Sequence, residues 1–237
     1  MPSDTFLNDL ITIDPDKPAE TCVIWLHGLG ADGHDFESMV SELSLPENLG
    51  IRFVLPTAPV QPVSVNMGQP MTAWYDIDSL QLMTDVDWQG VQASVAAIHD
   101  LIDDQQAKGI PADKILLAGF SQGGLIALYA TLTYAQPLVG VMALSTYFPD
   151  PGLAPDSLKI VQRKLPVFYA HGEMDDICPI SYAQQSKQIL IREAQAVEWH
   201  TYAMAHQVCY QELEDIVEFL KQCLGGRNKG AKVSGVK

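Results

Sequence analysis

The sequence predicts an α/β protein with a mostly parallel, doubly wound sheet and helices on both faces, a three-layer αβα sandwich. Three observations predict it. Apolar strand-like runs alternate with amphipathic stretches of helical length. The runs are nearly continuous in Val, Ile and Leu, the mark of strands buried on both faces. The chain has 237 residues, enough for one such domain.

The strands are read at "TCVIWLH" (21–27), "IRFVLP" (51–56), "KILLAGF" (114–120), "LVGVMALS" (138–145), "PVFYAHG" (166–172) and "AVEWHTY" (196–202). Helices are read over 86–108, which stops at Gly109, and over 122–134, 180–194 and 210–224. The last carries Leu213, Ile216, Val217 and Leu220 on one face. Residues 56–85 break the alternation. They form a Pro-, Met- and Gln-containing connection too long to be a plain link, and such loops are usually functional. The expected organisation is a single domain over 1–224 and a flexible basic tail over 225–237, "GGRNKGAKVSGVK".

Charge and composition exclude several functions. A net charge of −15 argues against nucleic acid, whose affinity comes from phosphate neutralisation by Lys and Arg, and against adsorption to an anionic membrane face. The longest apolar runs fall well short of the ~20 residues that cross a bilayer. The N-terminus lacks the basic and apolar regions of a secretory signal, so a cytoplasmic protein is expected. Cys22, Cys178, Cys209 and Cys223 are widely spaced and read as thiols; no Cys/His spacing calls for a metal.

The chemistry is concentrated in "LLAGFSQGGLIALYA" (116–130). "G-F-S-Q-G" at 119–123 follows a strand and opens a helix, which is the context a nucleophile elbow requires. Gly119 and Gly123 leave room around a strained Ser121, and the helix N-terminus offers free N–H groups to a developing oxyanion. A serine nucleophile needs a base, oriented by a carboxylate, each on a loop after a later strand. Of the six histidines only His206, in "YAMAHQVCYQ", follows the last strand and precedes the last helix. The acid belongs in "AHGEMDDICP", where Glu173, Asp175 and Asp176 stand; residue logic favours Asp175 only narrowly over Asp176. In "LHGLGADGHDF" (26–36), glycines 28, 30 and 33 let the backbone approach a substrate. The amides of Leu29 and Gln122 are therefore the candidate oxyanion donors, the Gln122 side chain being the lesser part of that residue. The glycines also spell a dinucleotide loop, but without the following acid that such a loop needs.

At this point the chain resembles the small carboxylesterase / acyl-protein thioesterase (phospholipase/carboxylesterase) family of α/β-hydrolases. The matching pieces are "WLHGLGADGHDF", "RFVLPTAPVQPV", "MTAWYDI", "LAGFSQGG", "ALSTYFP", "HGEMDDICP" and "MAHQVC", in the family's order from residue 20 to about 220. The resemblance implies an α/β-hydrolase fold, a triad of Ser121, Asp175 and His206, and oxyanion donors at Leu29 and Gln122. It implies that the loop ending in "AWYDI" walls an acyl groove, with Met67, Met71 and Trp74 as substrate contacts. Related bacterial enzymes often open that loop with Asn-Gly-Gly, whereas this chain has Asn66-Met67-Gly68 and then Pro70. It also carries the expectation of a homodimer through the exposed loop region.

The implied activity is hydrolysis of short- to medium-chain acyl esters, or thioesters, through an acyl-enzyme, with no metal or organic cofactor. Alternatives of the same chemistry are a lysophospholipase, a protein S-deacylase or a peptidase on this fold. A non-catalytic binder of the fold predicts a broken triad position, and all three are occupied here.

Overall fold

The computed structural model describes residues 9–225. The basic tail expected over 225–237 therefore lies, beyond Gly225, outside the described residues. Among the described residues the strands, numbered in chain order, are β1 (Asp9–Ile13), β2 (Thr21–Leu26), β3 (Ile51–Thr57), β4 (Val60–Val63), β5 (Gln69–Thr72), β6 (Ile115–Phe120), β7 (Gly140–Leu144), β8 (Pro166–Gly172) and β9 (Ala196–Tyr202). The helices are α1 (Glu37–Glu42), α2 (Trp88–Ala107), α3 (Gln122–Thr133), α4 (Ile180–Arg192) and α5 (Tyr210–Leu224).

Seven strands form one sheet in the order β1-β3-β2-β6-β7-β8-β9. Every pairing from β3 to β9 is parallel, and only β1 runs antiparallel at the edge. Successive side chains point to opposite faces, and the core divides accordingly. Cys22, Ile24 and Leu26 of β2, with Ile115 and Leu117 of β6, pack under α2, α3 and α4. Val23 and Trp25, with Leu116 and Ala118, face Val40 of α1 and the Ile216–Leu220 stripe of α5. Helix α3 lies against β6 and β7 on one side and α2 on the other, which is why its residues Gln122–Leu132 are all buried.

Three elements were not expected from the sequence: β1, α1, and the two-stranded hairpin of β4 and β5 inside the long 56–85 connection. No disulfide joins the four cysteines. Among the described residues no helix is long and apolar enough to cross a membrane, and no group of three or more His, Cys, Asp or Glu side chains is arranged to hold a metal ion.

One buried acid ties stability to pH. Glu212, in the first turn of α5, is fully buried. Burial pushes its carboxyl up to about 8 from an ordinary 4.5, Asp215 adds to the rise and the Cys209 amide opposes it. A raised folded-state value favours the fold below the unfolded value of 4.5, and that advantage is lost as pH rises through about 8. At about 1.4 kcal/mol per unit the loss amounts to a few kcal/mol. Glu212→Gln is thus expected to flatten the fall in melting temperature between neutral and mildly alkaline pH. An unchanged slope in thermal unfolding of that variant would show that another group sets it.

Candidate active site

The three candidate side chains stand at the carboxyl edge of the parallel strands, where α/β folds gather their sites. Ser121 stands between β6 and α3, Asp175 on the loop after β8, and His206 on the loop between β9 and α5. Ser121 adopts φ 53° and ψ −121°, a conformation that L-residues rarely hold. The turn is fixed from outside: the Ser121 N–H donates to Leu144 O at 2.9 Å, and Thr146 Oγ1 donates to Ser121 O at 2.6 Å. A Cβ on Gly119 would fall on the Gly123 carbonyl, and one on Gly123 would fall on the carbonyls of Leu26 and His27. The two glycines are required by close approach of backbone to backbone.

A continuous hydrogen-bonded chain joins the three side chains. His206 Nδ1 lies 2.7 Å from Asp175 Oδ2, and His206 Nε2 lies 2.9 Å from Ser121 Oγ. A carboxylate only accepts, so Nδ1 carries the ring proton and Nε2 turns its lone pair to the serine hydroxyl. Asp175 is held in turn by the N–H groups of Ile177 (3.0 Å) and Cys178 (2.8 Å), both on Oδ1. Asp176 is exposed and Glu173 bonds Thr201 instead. Phe120 packs against the His206 ring, centroids 4.8 Å apart.

The other histidines lie outside this chain. His34 is exposed beside Glu37, His99 bonds Ala130 O, and His200 bonds Glu198. His171 is fully buried at the end of β8. Its Nε2 donates to Cys178 O at 2.7 Å and comes within 3.4 Å of Asp175 Oδ2, closing the turn that carries Asp175. Burial lowers its proton affinity, so it stays neutral there.

Leu29 and Gln122 both border the same cavity as Ser121 and His206. Neither of their backbone N–H groups donates to another group among the described residues. The Gln122 carboxamide has a larger role than the sequence suggests. It is buried, accepts from Trp74 N–H at 2.8 Å and donates to Tyr75 O at 2.7 Å, binding the elbow to the long connection.

The cavity measures about 520 Å³, within the range of small-molecule sites. Its wall is mostly apolar: Phe36, Met39, Val65, Ile77, Leu80, Leu82, Phe120, Tyr147, Ile177 and Val208 join the polar group at Ser121. The long connection does contribute, but through other residues than expected. Met67 is 88% exposed at the tip of the β4–β5 hairpin. Trp74 is fully buried, its Nε1–H donating to His27 O at 2.9 Å. Met71 lies in β5, with its sulfur facing Gly30. None of the three lines the cavity. Val65, Ile77, Leu80 and Leu82 do, and no periodicity marks them in an irregular segment.

Comparison with known proteins now decides the family. A family model described as Phospholipase/Carboxylesterase matches residues 7–224. The chain belongs to the phospholipase/carboxylesterase family. This serine hydrolase is 37% identical to acyl-protein thioesterase 1 of Mycosarcoma maydis over 223 residues, covering 88% of this chain and 92% of that one. It is 39% identical to acyl-protein thioesterase 1 of Schizosaccharomyces pombe over 189 residues, covering 80% and 83%. Among solved structures, Zea mays acyl-protein thioesterase 2 superposes with a TM-score of 0.77 at 27% identity, covering 92% of this chain and 99% of that one. Arabidopsis thaliana SOBER1 gives 0.78 at 27%, covering 87% and 100%. The α/β-hydrolase fold and ester- or thioester-hydrolysing chemistry of the phospholipase/carboxylesterase enzyme rest on these matches together.

Proposed function

We propose that Ser121, His206 and Asp175 form the catalytic triad of an esterase and thioesterase acting on short- to medium-chain acyl groups. The observation that carries the reading is the Asp175–His206–Ser121 hydrogen-bonded chain, of which Ser121 and His206 line an apolar cavity. His206 Nε2 takes the Ser121 proton as Oγ attacks the acyl carbonyl, and the Leu29 and Gln122 amides receive the oxyanion. His206 passes that proton to the departing alcohol or thiol as the carbonyl–heteroatom bond breaks. A water, deprotonated by His206, then attacks the acyl-enzyme, and the acid leaves as Ser121 recovers its proton. The acyl chain occupies the space lined by Val65, Leu80, Leu82, Ile177 and Val208.

The names of the relatives favour a second reading within this chemistry, a protein S-deacylase, in which the leaving group is a cysteine thiol rather than an alcohol. A small-molecule acyl substrate, a cytoplasmic location and a homodimer complete the proposal. A series of p-nitrophenyl esters and matched thioesters from acetyl to dodecanoyl tests it. Each methylene entering the cavity contributes ~0.8 kcal/mol, so kcat/KM is expected to rise roughly fourfold per carbon and level off at medium length. A series flat in chain length would remove the cavity from the acyl-binding role.

A further inference from the structure

We propose that His27 is a positioning residue for the oxyanion site, acting through the peptide unit between Gly28 and Leu29. The proposal rests on the reading of the Leu29 N–H as an oxyanion donor. His27 follows β2 directly, and its side chain is fully buried. Both ring nitrogens have a partner, and the partners dictate the tautomer. The Ala58 N–H can only donate, and it lies 2.9 Å from Nε2, which must therefore carry the lone pair. The ring proton then sits on Nδ1, 2.7 Å from the Gly28 carbonyl oxygen, to which it donates.

That carbonyl and the Leu29 N–H are opposite ends of one planar peptide. Holding the oxygen fixes the direction in which the N–H points. A hydrogen bond into the carbonyl also polarises the unit and strengthens the N–H as a donor. The Ala31 N–H reaches the same oxygen at 3.2 Å, so the carbonyl is held from two sides. The histidine itself is braced: its ring lies 5.2 Å, centroid to centroid, from Trp74, whose Nε1–H donates to the His27 carbonyl. Trp74 N–H in turn donates to Gln122 Oε1. The residues bearing the two proposed donors are thus referenced to one another through Trp74.

Burial lowers the proton affinity of His27, against the pull of Asp32 and Asp35 and of its own hydrogen bond to Gly28. The neutral ring is the form that works, because a protonated Nε2 would confront the Ala58 N–H with a second donor.

Two substitutions separate the two ring nitrogens. His27→Asn can place an amide N–H near the Nδ1 position, keeping the donor to Gly28 O. His27→Gln can place an amide oxygen near the Nε2 position, keeping the acceptor for Ala58 and losing the donor to Gly28. With active sites counted by fluorophosphonate titration, His27→Gln is expected to lower kcat about 10- to 100-fold at nearly constant KM, since loss of one whole oxyanion donor lowers it by about 10²–10³. A trifluoromethyl ketone carrying the same acyl chain should lose affinity by a similar factor, and His27→Asn should recover most of both. Equal losses in the two variants, or a lower melting temperature with kcat unchanged, would overturn the proposal. Should neither variant fold, ¹⁵N NMR of the wild-type imidazole decides: an Nδ1-protonated His27 supports the assignment and an Nε2-protonated one refutes it. Activity in Ser121→Ala would remove the underlying triad reading, whereas an inactive Ser121→Ala beside a fully active His27→Gln would remove this proposal alone.

Discussion

Replacing Ser121 by alanine is expected to lower kcat by about 10⁴- to 10⁶-fold while leaving the melting temperature near that of wild type. Among the described residues the hydroxyl makes one hydrogen bond, to His206 Nε2. The turn itself is held by backbone and neighbouring groups, through Leu144 O and Thr146 Oγ1, and those contacts survive the substitution. Loss of activity without loss of structure is the signature of a nucleophile. The residue is strained at φ 53°, and alanine inherits that strain without the chemistry.

Asp175→Asn is expected to lower kcat by about 10⁴-fold, an effect large for the exchange of one oxygen for nitrogen. The surroundings dictate how the amide must sit. Asp175 Oδ1 faces the N–H groups of Ile177 and Cys178, so the asparagine oxygen is held there. The amide nitrogen then occupies the Oδ2 position opposite His206 Nδ1. Two donors cannot face each other, so the ring moves its proton to Nε2 and loses the lone pair that accepts from Ser121. Asp176→Asn, at an exposed position, is expected to retain nearly full activity. The paired measurement of kcat in the two variants separates the neighbouring aspartates that residue logic alone could not.

Much of the sheet was legible because β2, β6, β7 and β8 are buried on both faces and therefore read as unbroken apolar runs. β1 was not, since "DLITI" at the sheet edge is largely exposed and carries no such run. The hairpin was hidden by its prolines: Pro62 and Pro70 face each other across β4 and β5, and neither can donate to a ladder. The three candidate side chains that the structure brings together could be picked out because each is bound to a punctuation mark in the chain, a tight Gly-flanked turn or a loop after a strand. The cavity wall was not, because side-chain direction in the 56–85 connection is set by distant partners. Trp74 is drawn inward by Gln122 and His27, while Met67 takes a left-handed conformation (φ 56°) and is turned outward. The supporting roles of His27 and the Gln122 side chain left one usable signal. A polar side chain in an apolar, fully buried neighbourhood must satisfy its nitrogens and oxygens, and the only groups available are backbone.

The most direct measurement is peptide mapping after reaction with a fluorophosphonate. A single adduct on Ser121, absent from Ser121→Ala and greatly slowed in Asp175→Asn, is the expected result. An adduct on a different serine, or undiminished labelling of Ser121→Ala, would contradict the assignment of Ser121 as the nucleophile.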